Sequence, residues 1–296
     1  MKGIRTSDKP VVIEYLFDKH WDAAANALIK NVMTLDDVVE AIRACNAIDG
    51  LTRSPRNPAN FLKDIVRSRN ASKIWPGKIA TLRYTGEQRT GAGDSFAFVP
   101  FEPDQAEPFP DLFRPDNASV RSKLESVSIP LAAKALGRSD EAWLIQTAVK
   151  LRVVEQHMAT ASNLDVQEIT HLQMNVKLRA TEIDAIYLAT MLMATQSTVR
   201  KGAAKKPREA RKALITCEAK KHSERILIGQ ITSQAQAAFE MTDVDVVIPI
   251  AIRSVRHEGI QLIEFEAIER SQASQITRVS YVRDVIYRLE PAVKGI

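Results

Sequence analysis

The spacing of hydrophobic positions changes along the chain. From residue 10 to about residue 75 apolar residues recur every three or four positions, as Val12, Ile13, Leu16 and Phe17 do, which is typical of amphipathic helices. The spacing and the N-cap residues Thr34 and Asn57 predict helices over 10–32, 35–44 and 58–69. Two strands, at 77–84 and 95–99, are predicted to follow them.

Helical spacing returns over 118–163, and after His171 it gives way to alternation with a period of two, which is typical of strands. One helix is predicted over 226–239. Strands are predicted over 172–179, 181–188, 213–220, 244–252, 260–268 and 277–287. The pattern therefore predicts an α+β or α/β protein whose second half is a mixed β-sheet flanked by helices.

A proline-rich acidic stretch, 100–117, separates the two halves. It contains five prolines and five acidic residues, so we predict a stiff connector between domains at 1–99 and 118–296. Its phenylalanines, Phe101, Phe109 and Phe113, suggest that the connector packs along a surface.

Composition excludes several classes of protein. Hydrophobic residues make up 45% of the 296 residues, which is enough for a core, and no apolar run reaches the length of a membrane span. The first ten residues have no apolar signal region, and two cysteines, Cys45 and Cys217, cannot form a disulfide framework. We therefore expect a cytoplasmic protein. There is no glycine-rich phosphate loop, so no nucleotide cofactor is expected.

The net charge of +5 is unevenly distributed. Residues 51–89 hold nine basic and two acidic residues, and residues 200–225 hold ten basic and three acidic residues, so each segment carries +7. The remaining 22 basic and 31 acidic residues carry −9. Two concentrated basic segments on an acidic protein favour a polyanionic partner, although two solvated basic surfaces would give the same count.

Residues 30–100 resemble a winged helix-turn-helix domain in their order of helix, turn, basic helix and hairpin. In that resemblance 58–69 is the recognition helix, 85–94 is the wing, and arginines contact phosphates and guanines of double-stranded DNA. A small α+β domain with no role in DNA binding remains the alternative. The residues expected to bind DNA here are Arg53, Arg56, Lys63, Arg67, Arg69 and Arg89.

The candidate chemistry lies in the second half. Glu218-Ala219-Lys220, the one acid-x-Lys triplet in the chain, ends the apolar strand 213–220, so Glu218 and Lys220 share a face of the sheet. Asp184 lies in mid-strand among apolar residues, where an acid is costly without a partner. If Asp184 and Glu218 are adjacent, they need a cation, and oxygen ligands suit Mg²⁺.

The order of these features, in which Asp184 is followed by Glu218-Ala219-Lys220 and then by a predicted helix, resembles the PD-(D/E)xK nuclease superfamily over about 168–270. The resemblance makes Asp184 and Glu218 metal-ligating acids, Lys220 the catalytic lysine, and the Ala219 carbonyl a further ligand. Gln230 matches a glutamine found on the following helix in relatives. Two acids are auxiliary candidates: Glu168, expected on the preceding helix, and Glu182, on the strand face of Asp184.

Two features depart from the superfamily pattern. Ile183 stands where many members have proline, and 33 residues separate Asp184 from Glu218. A basic loop within 195–211 accounts for the length of this separation, which exceeds the common one. We expect the loop to bind phosphates beside the cleavage site. Its basic residues are Lys201, Lys205, Lys206, Arg208 and Arg211. In the alternative interpretation, Glu218 and Lys220 are an exposed strand-end pair and Asp184 is a capped core acid.

The combined resemblance implies a type II restriction endonuclease, in which a winged-helix-like domain precedes a restriction-endonuclease-like core. Such enzymes work as homodimers, because two antiparallel strands call for two sites related by a two-fold axis. The helix expected at 140–159 is a candidate dimer surface. The rivals are a structure-specific repair or recombination nuclease and a non-enzymatic winged-helix regulator.

Overall fold

The structure, a computed structural model, describes residues 8–89, 93–178, 181–194 and 208–296. The chain divides into two compact units, unit 1 at Met1–Leu112 and unit 2 at Phe113–Ile296. The division lies inside the stretch interpreted as a connector. Phe109 stacks edge-on against Trp75 in unit 1, and Phe113 packs edge-on against Phe265 in unit 2.

Unit 1 combines short helices with a three-stranded antiparallel sheet in the order β3-β5-β4. Its helices are α1 (Lys9–His20), α2 (Leu35–Ile48), α3 (Lys63–Arg67), α4 (Ala71–Ile74) and α5 (Gly77–Thr81), with a 3-10 turn at Pro58–Asn60. Its strands are β1 (Trp21–Asp22), β2 (Ala27–Leu28), β3 (Val32–Thr34), β4 (Tyr84–Gln88) and β5 (Asp94–Pro100).

The capped helix predicted at Thr34 is present. Asp37 N donates to Thr34 Oγ1 at 3.2 Å and Thr34 N donates to Asp37 Oδ2 at 2.7 Å, a reciprocal pair that satisfies two backbone donors. The helix predicted over 23–32 is wrong, because a β1–β2 hairpin replaces it. The Asp22 carboxylate accepts from Ala24 N and Ala25 N, which favours a turn over helix continuation.

The single recognition helix predicted over 58–69 is also wrong, since the segment forms the 3-10 turn and α3. Side chains hydrogen-bond two backbone carbonyls at its start, and Pro58 O also accepts from Phe61 N at 3.1 Å within the 3-10 turn. Ser95 Oγ donates to Pro58 O at 2.5 Å, and Gln88 Nε2 donates to Ala59 O at 2.6 Å. The strand predicted over 77–84 is the helix α5 up to Thr81, and only Tyr84 belongs to a strand.

Unit 2 is a mixed sheet of eight strands covered by helices. Its helices are α6 (Leu131–Leu136), α7 (Glu141–Lys150), α8 (Val153–Thr160) and α9 (Ile228–Met241), with a 3-10 turn at Arg270–Gln275. Its strands are β6 (Arg121–Glu125), β7 (Val166–Lys177), β8 (Glu182–Ala194), β9 (Arg208–Lys220), β10 (Val246–Val255), β11 (Gly259–Phe265), β12 (Ile268–Glu269) and β13 (Tyr281–Glu290).

The strand order is β6-β13-β11-β10-β9-β8-β7, with β12 paired to β10. β7, β8 and β9 form an antiparallel meander, and β10 returns parallel to β9 after the crossover helix α9. The prediction of a mixed sheet flanked by helices is confirmed. The helical prediction over 118–163 is wrong at its start, where β6 pairs in parallel with β13.

Helices cover both faces of the central strands. Ala213, Ile215, Cys217 and Ala219 face the core that α7 and α8 complete, whereas Leu214 faces the core beneath α9. This alternation is the period of two expected for a strand. Since β9 is buried on both faces, its polar residues near the end need partners inside the protein.

The predicted helix 140–159 is broken between α7 and α8, where Arg152 has a φ of 55°. Its apolar face, which includes Leu144, Ala148 and Val154, is buried in the core of unit 2. This face cannot form a dimer surface, because packing against the sheet already covers it, and a homodimer through the rest of the helix stays a prediction.

Candidate active site

Asp184 and Glu218 meet where β8 begins and β9 ends. Ala185 pairs with Cys217 in the antiparallel register, so the next pair toward the site places Asp184 opposite Glu218. The Ala219 N–H donates to Asp184 Oδ2 at 2.8 Å. The antiparallel pairing of β8 with β9 thus brings Asp184 and Glu218 together, as expected from the sequence.

Lys220 is the third member of this cluster and is only 2% exposed. Its ammonium donates to Glu141 Oε1 at 3.1 Å and to Ala219 O at 2.9 Å, and it forms an ion pair with Glu218 Oε1. Burial alone lowers the pKa of Lys220, but the charges of Glu218, Glu141 and Asp184 outweigh it and hold the pKa above its ordinary value. Lys220 is therefore a permanent cation in this site.

The two acids are hard to ionise together. Burial raises the pKa of Glu218 to about 7, although Lys220 lowers it, and the charge of Asp184 raises it further. Burial also raises the pKa of Asp184, against the opposing effects of Lys220 and the Ala219 N–H. A positive ligand that touched both carboxylates would relieve this cost.

Gln234, one helical turn beyond the Gln230 singled out by sequence, is the glutamine that contacts the acids. It is fully buried, and its Nε2 donates to Glu218 Oε2 and, at 2.8 Å, to the backbone carbonyl of Glu182. Gln230 is half-buried and lies on the same helix, α9. Both lie on the predicted helix, but only tertiary packing decides which turn faces β9.

Glu141 is a site residue that the sequence interpretation missed. It is the first residue of α7, and its N-cap is Asp140, whose side chain accepts from Trp143 N at 2.8 Å. The available signal was a first-turn acid on the helix before the sheet. Glu141 approaches from α7 on one face of the sheet, and Gln234 approaches from α9 on the other.

Two auxiliary candidates are placed differently from expectation. Glu168 lies on strand β7 rather than on a helix, pairs with Thr190 and is exposed. The strand begins at Val166, six residues before the predicted start at residue 172, which moves Glu168 off any helix. Glu182 is exposed, and only its backbone carbonyl reaches the site, through Gln234.

Two groups stand out among the basic residues of unit 1. Lys9, Lys30, Lys78 and Arg89 form ion pairs with carboxylates. In the described residues no ion pair involves the second group, a set of cations that we call the 53–73 cations. They are Arg53, Arg56, Lys63, Arg67, Arg69 and Lys73.

The basic residues of the β8–β9 hairpin lie far from the acids. The pair Ala194–Arg208 lies nine residues along the two strands from the pair Ala185–Cys217, which is next to the acids. At about 3.4 Å per residue this separation is about 30 Å. Arg208 also pairs with Asp165, and Arg211 pairs with Glu269 at 3.5 Å. The expectation that these two arginines flank the acids is therefore wrong. Lys201, Lys205 and Lys206 lie outside the described residues.

The donor set suits Mg²⁺ better than a softer metal. Within the described ranges no group of three Asp, Glu, His or Cys side chains could hold a metal ion. Mg²⁺ keeps several waters and needs one or two carboxylates, which Asp184 and Glu218 supply together with the Ala219 carbonyl. Lys220 is ion-paired with Glu218 Oε1 and Gln234 donates to Glu218 Oε2, so a cation bound to this carboxylate would share it with both side chains.

Comparison with known proteins finds no match among protein-family models, curated protein sequences or solved structures. No helix in the described ranges has the length and apolar character needed to cross a membrane.

Proposed function

We propose that unit 2 hydrolyses phosphodiester bonds as a magnesium-dependent nuclease of the PD-(D/E)xK kind. The observation that carries this proposal is the buried cluster of Asp184, Glu218 and Lys220 on paired strands. A capped core acid would need no second carboxylate beside it, and an exposed strand-end pair would not be 1–2% exposed, as Glu218 and Lys220 are.

The order of elements supports the same proposal. Helices α7 and α8 precede the meander β7-β8-β9, and the crossover helix α9 leads to the parallel strand β10. The acids lie in the second and third strands of that meander, as the superfamily pattern requires. Helices on opposite faces add Glu141 and Gln234 to the site.

Each residue has a role that follows from its contacts. Asp184, Glu218 and the Ala219 carbonyl would hold Mg²⁺, which would supply Lewis-acid stabilisation of the phosphoryl oxygens. Lys220, kept protonated by its acidic neighbours, stabilises the negative charge that develops on the phosphate. Gln234 orients Glu218, and Glu141 orients Lys220.

Unit 1 is proposed to bind double-stranded DNA. Its 53–73 cations form no ion pair in the described residues, and Arg53 and Lys63 act on Asp64 only at longer range, so phosphates would be their closest counterions. The three-stranded sheet, the capped helix α2 and the β4–β5 hairpin are compatible with a winged-helix-like domain. The recognition element would be α3 and its neighbours rather than one long helix.

A type II restriction endonuclease is the class that best joins these two functions. It acts without a nucleotide cofactor and as a homodimer, because two strands must be cut. We place it in the cytoplasm, in keeping with two buried free cysteines.

Digestion of plasmid and phage DNA tests the proposal. Wild-type protein with Mg²⁺ is expected to give discrete fragments that EDTA abolishes, on either methylated or unmethylated DNA. Lys220→Met removes the buried cation, and Lys221→Met is the matched control on the neighbouring residue. Cleavage of branched or single-stranded substrates alone would favour a repair nuclease. Binding with no cleavage of any DNA would favour a regulator and refute the nuclease.

A further inference from the structure

Residues 291–296, which we call the tail segment, pack against the start of α7. Val293 is buried in the core that α7 and α8 share with the sheet, and Ile296 packs against that core. At its other end the segment is held by Ser126, whose Oγ donates to Pro291 O. The tail segment is therefore fixed on both sides of Lys294.

The backbone of the tail segment touches the backbone just before α7. A Cβ on Gly137 would lie 2.0 Å from Lys294 O, and a Cβ on Gly295 would lie 2.4 Å from Arg138 O. Gly295 also has a φ of 89°, which L side chains rarely adopt. Two reciprocal close approaches thus require glycine on both sides, because the obstructing atoms are backbone atoms.

Trp143 completes the contact from inside the first turn of α7. Its Nε1 donates to Lys294 O at 3.0 Å, and its backbone N–H donates to the N-cap Asp140. Glu141, the residue between them in the same turn, accepts from Lys220 at 3.1 Å. The turn that carries Glu141 is thereby tied to the tail segment through Trp143.

We propose that Trp143 and the tail segment form a positioning element that holds Glu141 against Lys220. This inference rests on the proposed nuclease function of the cluster. Lys220 divides its donors between Glu141, Ala219 O and Glu218, so displacement of Glu141 shifts the ammonium toward Glu218. Glu218 is then less available to a cation, and Lys220 is drawn away from the phosphate. Trp143 touches neither substrate nor metal.

A double-mutant cycle of Trp143→Phe and Glu141→Gln tests this positioning role. Trp143→Phe removes the indole donor and keeps an aromatic ring. We expect it to lower kcat about tenfold with KM unchanged, as a small misplacement near reacting groups does. In the Glu141→Gln background, Trp143→Phe should lower kcat by less than threefold. Equal losses in both backgrounds would mean that Trp143 only stabilises the fold.

Trp75→Phe is the matched control, because Trp75 Nε1 donates to Tyr84 O at the same 3.0 Å in unit 1. It should leave kcat within twofold of wild type. The same cycle is measured in the unfolding equilibrium constant by urea denaturation. If wild-type protein cleaves no DNA, the nuclease proposal fails. The double-mutant cycle in stability then decides by itself whether Trp143 positions Glu141. A coupling of threefold or more supports positioning, and independent effects overturn it.

Discussion

The two basic segments carry the same net charge of +7 but use it in opposite ways. In unit 1 no ion pair in the described residues involves the 53–73 cations, although Arg53 and Lys63 help to lower the pKa of Asp64. In unit 2 Lys220 is buried among three acids, whereas Arg208 and Arg211 are ion-paired ten and seven residues before Glu218 on β9, about 34 Å and about 24 Å away along the strand. Net charge over a segment therefore measures neither how much charge is available to a ligand nor where it acts.

The largest expected effect is at Lys220. Lys220→Met should reduce DNA cleavage by roughly 10³-fold, because the cation that faces the developing charge is lost. Binding of DNA in EDTA should change little if unit 1, as proposed, supplies the phosphate contacts. Single-turnover cleavage and filter binding measure the two quantities. Equal losses of binding and cleavage would mean that Lys220 belongs to the binding surface.

The next effect is the pH dependence of stability. The pKa of Glu218 rises from its ordinary value of 4.5 to about 7 on folding, so the folded state binds its proton more tightly. Stability is then highest at low pH within this range and falls as pH rises from about 4.5 through about 7, by an amount on the order of 2–3 kcal/mol. Urea unfolding in EDTA between pH 5 and 8 should show this decline.

Glu218→Gln should flatten the same profile, and Mg²⁺ should oppose the decline in wild type. Glu258→Gln is a control of opposite sign, since a hydrogen bond from Arg121 lowers the pKa of Glu258. Its contribution is lost only at acidic pH, below this window. A wild-type profile that rises between pH 5 and 8 would contradict the assignment to Glu218.

A moderate effect is expected for the 53–73 cations. The triple change of Arg67, Arg69 and Lys73 to Ala should weaken DNA binding roughly tenfold at moderate salt. It should also reduce the slope of log affinity against log salt by up to about 3, since each lost phosphate contact contributes about 0.9. Lys78→Ala is the control, because Asp18 already pairs with Lys78 at 2.7 Å. An unchanged salt slope would show that these cations contact no phosphate.

The smallest effect is expected for Arg208 and Arg211. Changing both to Ala should alter cleavage and binding less than about threefold, because Asp165 and Glu269 already neutralise them at the end of the strands away from the acids. The plasmid and binding assays above measure this directly. A loss as large as that of the triple variant would mean that the β8–β9 hairpin grips DNA.

Local signals in the sequence were sufficient for several elements. Thr34 and Asp37 mark the start of α2, since a capping box depends on four consecutive residues alone. The alternation of apolar residues indicates β8, β9 and β10, and it also places Glu218 and Lys220 near the end of β9. Asp184 beside Glu218 was predictable because a buried acid needs a partner.

The errors arise where distant contacts override local preference. Residues 58–69 have a helical pattern, but the carbonyls of Pro58 and Ala59 bind the side chains of Ser95 and Gln88, and Pro58 O also accepts from Phe61 N in a 3-10 turn. Glu168 was placed on a helix because the period of two becomes visible only after His171. Gln230 and Gln234 are equally compatible with the pattern of α9, and the choice depends on how the helix lies on β9.

The sequence by itself determined the mixed α and β composition, the end of β9 as the place of a buried charged cluster, and its three residues Asp184, Glu218 and Lys220. These follow from short-range periodicity and from the cost of burying charge. Only the tertiary structure decided that Glu141 and Gln234 join them, and that Arg208 and Arg211 lie far away. Those facts depend on strand register and helix docking, which pair residues that are distant in the chain.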